Sequence, residues 1–401
     1  LKDYPRSTYF DDSYYEIGNT YTIINQNSEA LSYFEKVVND YPKSTYVKKS
    51  LLKTGLIYFN QNRDSEALTV LKRVVKEYPG TPESKEALAS IRSIYVDQNK
   101  VDEYVDFTKT VPQADVSRTE QDSLTFIAAE NQYMNGDCAK AKESLDKYLA
   151  RFPEGSFTIK ANFYKAECDY RSEKYDQALQ GYLFVLNNQR TAYSTTAALK
   201  AARIQYSQKD YAGALDNYIR LEEISEQPVQ VTDAVTGQMQ CNYLLGKYGL
   251  AIQSAQKLLQ RENLPQNLAT EAHLNIARSA YALSNTDLAR KEFEETVKLS
   301  QNEMGAEAKF MLAQLQYDAT LYDQAEKNLF ALAEDYSSYD YWVAKGFILL
   351  SDVYVKKNNN FQAKQTLQSI IDNYEGQDLV IIAREKLNTI IESEKNTPVN
   401  Q

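Results

Sequence analysis

Apolar residues recur along this chain three or four apart, the spacing of one helix face, in blocks divided by short polar runs. Ile17 with Tyr21, or Ala166 with Tyr170, marks the apolar face of a first helix. Asn25-Gln26-Asn27, Asn60-Gln61-Asn62-Arg63 and Asn358-Asn359-Asn360 then predict a turn. A second block follows in which a small residue, Ala30, precedes a large one, Phe34, by one helical turn. The small residue lets two helices approach while the large one fills the space beside it. The block stops at Tyr41-Pro42, because proline has no amide to donate and its ring disfavours helix in the residue before it. Each unit is therefore helix, turn, helix, turn.

The unit is written about ten times. Gly18, Tyr21, Ala30, Phe34, Val37 and Pro42 return as Gly55, Tyr58, Ala67, Leu71, Val74 and Pro79. The tyrosine continues as Tyr95, Tyr133, Tyr170, Tyr206, Tyr243, Tyr281, Tyr317 and Tyr354, with gaps of 36 to 38 residues. The alanine continues as Ala141, Ala178, Ala214, Ala251, Ala289, Ala325 and Ala363. A period of this length means stacked units that share one core, each too small to bury its own apolar face. Asp176 and Asp323 sit where caps of second helices belong, Ser44, Thr81 and Ser156 where caps of first helices belong, and Pro82 suits the first helical position.

The order small–Tyr–Ala–aromatic–Pro resembles the tetratricopeptide repeat over nearly the whole chain. The departures are the missing early tryptophan, units a few residues longer than the usual ~34, and a glycine kept only at Gly18 and Gly55. Later copies place Ala129, Ala166, Ala202, Ala277 and Ala313 four residues before the tyrosine instead of three. The resemblance implies an all-α fold, a right-handed superhelical solenoid of antiparallel helix hairpins, about ten repeats of about 37 residues with a C-terminal capping helix.

Residues 1–12 read as the tail of a preceding unit, because Asp3 to Tyr9 nearly copies Asp40 to Tyr46. On that reading the sequence is part of a longer repeat protein. Residues 13–376 form the repeat array, in which the copy near 82–117 is degenerate: Tyr104 replaces the alanine, and Val111-Pro112-Gln113-Ala114-Asp115 ends the second helix unusually. Loops lengthen near Pro228, a second place to divide the chain. Residues 377–401 form a cap, with Leu379, Ile382, Ala383, Leu387, Ile390 and Ile391 on one helix followed by a polar tail.

Composition narrows the function classes. The net charge of −10 and the lack of a basic stripe disfavour nucleic acid. No apolar run is long enough to span a bilayer. Most of the 32 tyrosines fall at packing positions, which leaves a minority for display. His273 is the one histidine, set in a helix beside Leu274 and Ala277, and reads as structural. Cys138, Cys168 and Cys241 show no CxxC; a Cys138–Cys168 bridge between adjacent units is conceivable, but an odd count with this spacing does not demand it. Carboxylate pairs such as Glu222-Glu223 and Glu294-Glu295 read as solvated helix faces. No catalytic constellation, phosphate-binding glycine loop, cofactor motif or metal-ligand set is present in the sequence.

Members of the family that the array resembles hold a partner's peptide or helix on a concave surface of first helices. Carried over by position, the candidate groove residues are Tyr15, Asn19, Phe59, Asn131, Tyr164, Arg171, Leu244 and Met311. Asn19 and Asn131 match two positions of the carboxylate clamp some members use. Leu52, Leu56, Ile127, Leu315 and Ile348 replace its basic partners, which argues for a mixed apolar groove. The expected function is a non-enzymatic protein–protein interaction scaffold that binds protein or peptide segments, with self-association open. The ending Val-Val-x-Asp/Glu-Tyr-Pro-x-Ser/Thr at Val37–Ser44 and Val74–Thr81 is similar to that of bacterial envelope proteins of this family, of the YbgF-like and outer-membrane assembly lipoprotein types. That likeness implies a periplasmic or outer-membrane-associated address. The rivals are a glycan-binding helical-repeat protein with tyrosine platforms and Trp342, a cytoplasmic assembly or regulatory adaptor, and an enzyme of helical hairpins.

Overall fold

The turn inside each hairpin is held by one residue in the left-handed region. Asn25, Asn62, Asn99, Gly136, Glu173, Lys209, Gly246, Ser284, Thr320 and Asn358 occupy it in succession. The amide three residues after the end of the first helix reaches back five residues, as in Gln26 N–H to Tyr21 O (2.9 Å) and Asp210 N–H to Gln205 O (2.9 Å), which satisfies carbonyls the helix end would leave bare. Asparagine and glycine suit this conformation; glutamate, lysine and threonine adopt it at a cost.

The computed structural model describes residues 9–396; the first eight residues of the expected upstream tail (1–12) and the last polar residues lie outside them, and residues 10–12 belong to the first helix. Twenty-one helices and no strand are found among the described residues. The chain divides into two compact units at Tyr193/Ser194. The first holds α1 (Phe10–Ile23), α2 (Asn27–Asp40), α3 (Val47–Asn60), α4 (Asp64–Glu77), α5 (Pro82–Asp97), α6 (Val101–Thr108), α7 (Arg118–Met134), α8 (Cys138–Arg151), α9 (Thr158–Arg171) and α10 (Tyr175–Leu186). The second holds α11 (Ser194–Ser207), α12 (Tyr211–Ile224), α13 (Pro228–Leu244), α14 (Tyr248–Leu259), α15 (Gln266–Ala282) and α16 (Thr286–Leu299). It continues with α17 (Glu303–Asp318), α18 (Tyr322–Asp335), α19 (Asp340–Lys356), α20 (Asn360–Asn373) and α21 (Gln377–Asn396). Pro228 lies inside the second unit, at the first position of α13.

Within each unit consecutive helices pack against each other, and first helices also touch the next first helix, from α3 to α9 in the first unit and from α11 to α21 in the second. The alanines that open the second helices, Ala30 through Ala363, are fully buried. Gly18 and Gly55 face Phe34 and Leu71 so closely that an added methyl at Gly55 would come within 2.4 Å of the leucine. Tyr41, Tyr78 and Phe152 close α2, α4 and α8 as the Tyr-Pro and Phe-Pro endings require.

The expected caps hold in part. Thr81 accepts from Ser84 N–H (3.2 Å), with Pro82 at the first helical position. Ser44 does not cap: α3 starts at Val47, and Ser44 Oγ instead accepts from Tyr46 N–H (3.0 Å). Ser156 does not cap either; its amide donates to Asp122 Oδ2 (2.9 Å). Asp176 and Asp323 fall in the first turns of α10 and α18, after the cap, where their negative charge still complements the positive end of the helix dipole. Asp137, Asp210, Asn285 and Asn359 are the side-chain caps of second helices.

The degenerate hairpin has a real second helix, but α6 is only 8 residues long against 14 in α4 and α8. Tyr104 is buried in place of the alanine, its ring 6.3 Å from Tyr95. In α21, Leu379, Val380, Ala383 and Ile390 are buried while Ile381 and Ile382 are exposed.

Candidate functional site: the first-helix surface

The register of each hairpin is set by its left-handed residue and not by the recurrent tyrosine. Counted back from that residue, a small buried residue stands seven positions earlier in eight of the ten hairpins, at Gly18, Gly55, Ala129, Ala166, Ala202, Ala277, Ala313 and Ser351, while α5 and α13 place Arg92 and Met239 there. The tyrosine stands four earlier in Tyr21, Tyr58, Tyr95 and Tyr354, but three earlier from Tyr133 to Tyr317. One residue is about 100° of helix, so alignment on the tyrosine mixes two neighbouring faces.

The candidate residues divide accordingly. Tyr15 is buried, 5.8 Å from the ring of Phe34 and 5.0 Å from that of Tyr46. Asn19 is half-buried beside Glu16 on the same helix, and Phe59 packs on the core. Asn131 donates to Asp97 Oδ1 across adjacent first helices (3.1 Å). Tyr164 and Arg171 meet on Tyr133: the two rings stack at 4.1 Å, and Arg171 Nη2 donates to Tyr133 Oη (3.2 Å). Tyr164 also donates to Glu130 (3.0 Å); burial first, then that bond, pushes its phenol above the ordinary range and keeps it a donor. In the second unit Leu244 is exposed, and Met311 is half-buried against the core.

A polar ladder joins neighbouring first helices. The residue six before the left-handed position pairs with the residue thirteen before the next one. Glu130 meets Lys160 (2.5 Å) in the first unit; Arg203 meets Asp233 (2.9 Å), Gln240 meets Glu271 (2.6 Å) and Arg278 meets Glu307 in the second. The signal was present in the sequence as pairs 29 to 31 residues apart. Buried residues ten before the turn lie alongside: Tyr15, Leu52, Phe126, Phe163, Leu274, Phe310 and Ile348.

Helix α5 breaks this scheme. Its residues at the three places ten, six and three before Asn99 are Ala89, Ser93 and Val96. The same places in α7 hold Phe126, Glu130 and Tyr133, which fill the seam to α9 by stacking on Phe157 (4.6 Å), pairing with Lys160 and stacking on Tyr164. The seam between α5 and α7 is instead an open cleft of about 760 Å³. Val96, Leu124 and Ile127 give it an apolar floor, and serine and threonine hydroxyls of α7 edge it. Arg92 and Glu120 form a half-exposed pair at 3.5 Å on the rim. A second cleft of about 750 Å³, between α16 and the α17/α18 hairpin, is lined by Arg290, Glu294, Lys298, Lys309 and Leu312 and is of mixed charge.

His273 Nδ1 lies 2.6 Å from Glu292 Oε2 across the α15/α16 hairpin. Cys138 and Cys168 are joined by a disulfide, with Cα atoms 5.3 Å apart, a pairing the sequence left open. Cys241 is free and buried, and burial pushes its thiol up to about 12. Among the described residues no group of three or more His, Cys, Asp and Glu side chains is placed to hold a metal, and no helix is long and apolar enough to cross a membrane.

Sequence profiles of the tetratricopeptide repeat match residues 11–41, 49–81, 122–155 and 274–341. The matched stretches are tetratricopeptide repeats, and the intervening hairpins of each unit follow the same helix–turn–helix pattern. Among solved structures it is similar to the C-terminal part of a TPR repeat-containing protein from Cytophaga hutchinsonii, with 16% identity, 64% of this chain and 98% of that one covered, and a TM-score of 0.47. It is also similar to a tetratricopeptide repeat protein from Parabacteroides merdae, with 15% identity, 69% and 100% covered, and a TM-score of 0.36. The TPR domain of P58(IPK) shows 14% identity, 96% and 99% covered, and a TM-score of 0.26. The chain has no significant match among curated proteins.

Proposed function

We propose that this protein is a non-enzymatic interaction scaffold that holds segments of partner proteins on its first-helix surface. The observation that carries this reading is the open cleft between α5 and α7, set beside a neighbouring seam, α7 to α9, that is filled from within. The address we propose is the bacterial cell envelope, outside the cytoplasm. The Cys138–Cys168 bridge supports it, because such bonds persist in oxidising compartments and are rare where thiols are kept reduced.

The test is in-cell photo-crosslinking of the protein in its native host, with the photoreactive residue placed in turn at Ile127, Leu244 and, as control, a solvent-facing second-helix position such as Lys147. Reproducible capture of envelope proteins from the first-helix positions alone is the expected result. Capture of only further copies of the chain makes it a structural oligomer and overturns the scaffold reading; capture of only cytosolic proteins overturns the address.

A further inference from the structure

The cleft between α5 and α7 is complementary to a particular side-chain set, because the neighbouring seam shows what such a space takes when it is full. Between α7 and α9 the space is occupied by an aromatic ring (Phe126), a carboxylate one turn on (Glu130) and a second ring (Tyr133). The facing cation, Lys160, both pairs with that carboxylate and lies over Phe126 (5.3 Å). In the cleft the corresponding residues of α5 end at a methyl, a hydroxymethyl and an isopropyl group. The rim still supplies a cation: Arg92 has a carboxylate contact of only 3.5 Å, with both partners about 40% exposed, so little is lost if another carboxylate replaces Glu120. Its guanidinium offers two parallel donors to an incoming carboxylate. A volume of about 760 Å³ is in the range of ligand pockets, enough for one aromatic side chain and its neighbours.

We propose that this cleft is a docking site for a helical partner segment that presents an aromatic side chain and, one turn further on, a carboxylate. The aromatic ring enters between Ala89 and Ile127 over Leu124, and the carboxylate takes Arg92. The partner thereby supplies the contacts that α5 omits. This rests on the scaffold reading and names the chemistry of what one seam accepts.

The probe is the synthetic peptide acetyl-Phe-Ala-Ala-Ala-Glu-Ala-Ala-Tyr-amide, titrated into the full chain with labelled isoleucine, leucine and valine methyl groups. Two control peptides replace both rings by alanine, or the glutamate by lysine. The expected result is a saturable shift of the Val96, Leu124 and Ile127 methyl signals with the probe, and binding at least about tenfold weaker with either control. Ala89→Phe fills the cleft from within and should abolish the shift. Should that variant fold poorly, Ser93→Glu with Ser123→Lys installs the pair seen at Glu130 and Lys160 and should have the same effect. Equal binding of probe and alanine control, or shifts that survive both fillings, overturns the proposal. Because the crosslinking experiment reads native partners at other first-helix positions as well, it can succeed while this one fails, and the two readings fall separately.

Discussion

Tyr148 donates its phenol hydrogen to Asp122 at 2.6 Å, where neither group reaches water. The second oxygen of Asp122 accepts from Ser156 N–H (2.9 Å), and Phe157 N–H donates to Tyr148 Oη (3.1 Å). Three segments, α7, α8 and the entry to α9, are thus fastened at one point. Burial and the carboxylate together push the Tyr148 phenol above its ordinary value, so it remains protonated at any ordinary pH.

Removing that hydroxyl leaves a buried carboxylate oxygen and a backbone amide without their partner. Tyr148→Phe should cost about 1–3 kcal/mol. Urea denaturation should report it as a lower midpoint with an unchanged slope. An unaltered midpoint would mean that water replaces the hydroxyl and that the three-way junction adds nothing.

The left-handed turn residues predict a gain. Thr320 is β-branched and has φ +61°, a conformation that crowds its side chain against the backbone. Relief of that crowding is worth roughly 1–2 kcal/mol, and glycine's extra chain entropy takes back about 0.5–1. Thr320→Gly should therefore stabilise by about 0.5–1 kcal/mol, and Gly246→Ala should do the reverse. Thermal unfolding of the pair checks the sign of each.

The cysteines follow the same register. Cys138 is the first residue of α8, thirty before Cys168; Tyr211 is the first residue of α12, thirty before Cys241. Tyr211→Cys should therefore form a second bridge under oxidising conditions, read as loss of both free thiols. Persistence of two titratable thiols in the oxidised variant would show that the register does not carry this geometry. In the unmodified chain Cys241 should resist alkylation at pH 8 until the protein unfolds. Its thiol, pushed up to about 12, gives almost no thiolate there, while an unfolded thiol near 8.5 does. Above pH 9 the unfolded state sheds this proton and the folded state keeps it, so Cys241 disfavours the fold increasingly from there to about pH 12. Reduction of the native bridge should cost about 2–4 kcal/mol.

Exchange should be fastest at the short helix. With 8 residues against 14, α6 lays fewer buried contacts on its neighbours, and residues 100–117 should exchange before residues 240–300. Equal protection of the two stretches in native-state hydrogen exchange would refute this.

The helical hairpins, their turns and the buried alanines were legible in the sequence because backbone turns and small packing residues leave fixed marks at a fixed period. The groove was less legible. Tyrosine is the most visible repeated letter, yet its ring reaches the same region from either of two adjacent positions. Tyr15 and Tyr164, equivalent by the tyrosine, therefore stand ten and nine residues before their turns. The cleft escaped notice for a related reason. Ala89, Ser93 and Val96 read as the loss of a pattern, and small side chains carry no mark in the sequence of the space they leave. The Cys138–Cys168 pairing depends on that same turn-based register, which an odd cysteine count conceals.

A repeat measured from its turns has its natural seams there. A segment running from just after one left-handed residue to the next, such as residues 210–246, contains one second helix and the following first helix. Excising it would join α11 directly to α14 across an intact turn, leaving every remaining helix face in phase. The module of this chain is the span from turn to turn: its removal takes away Asp233 and Gln240 and brings their partners, Arg203 and Glu271, into the same ladder register.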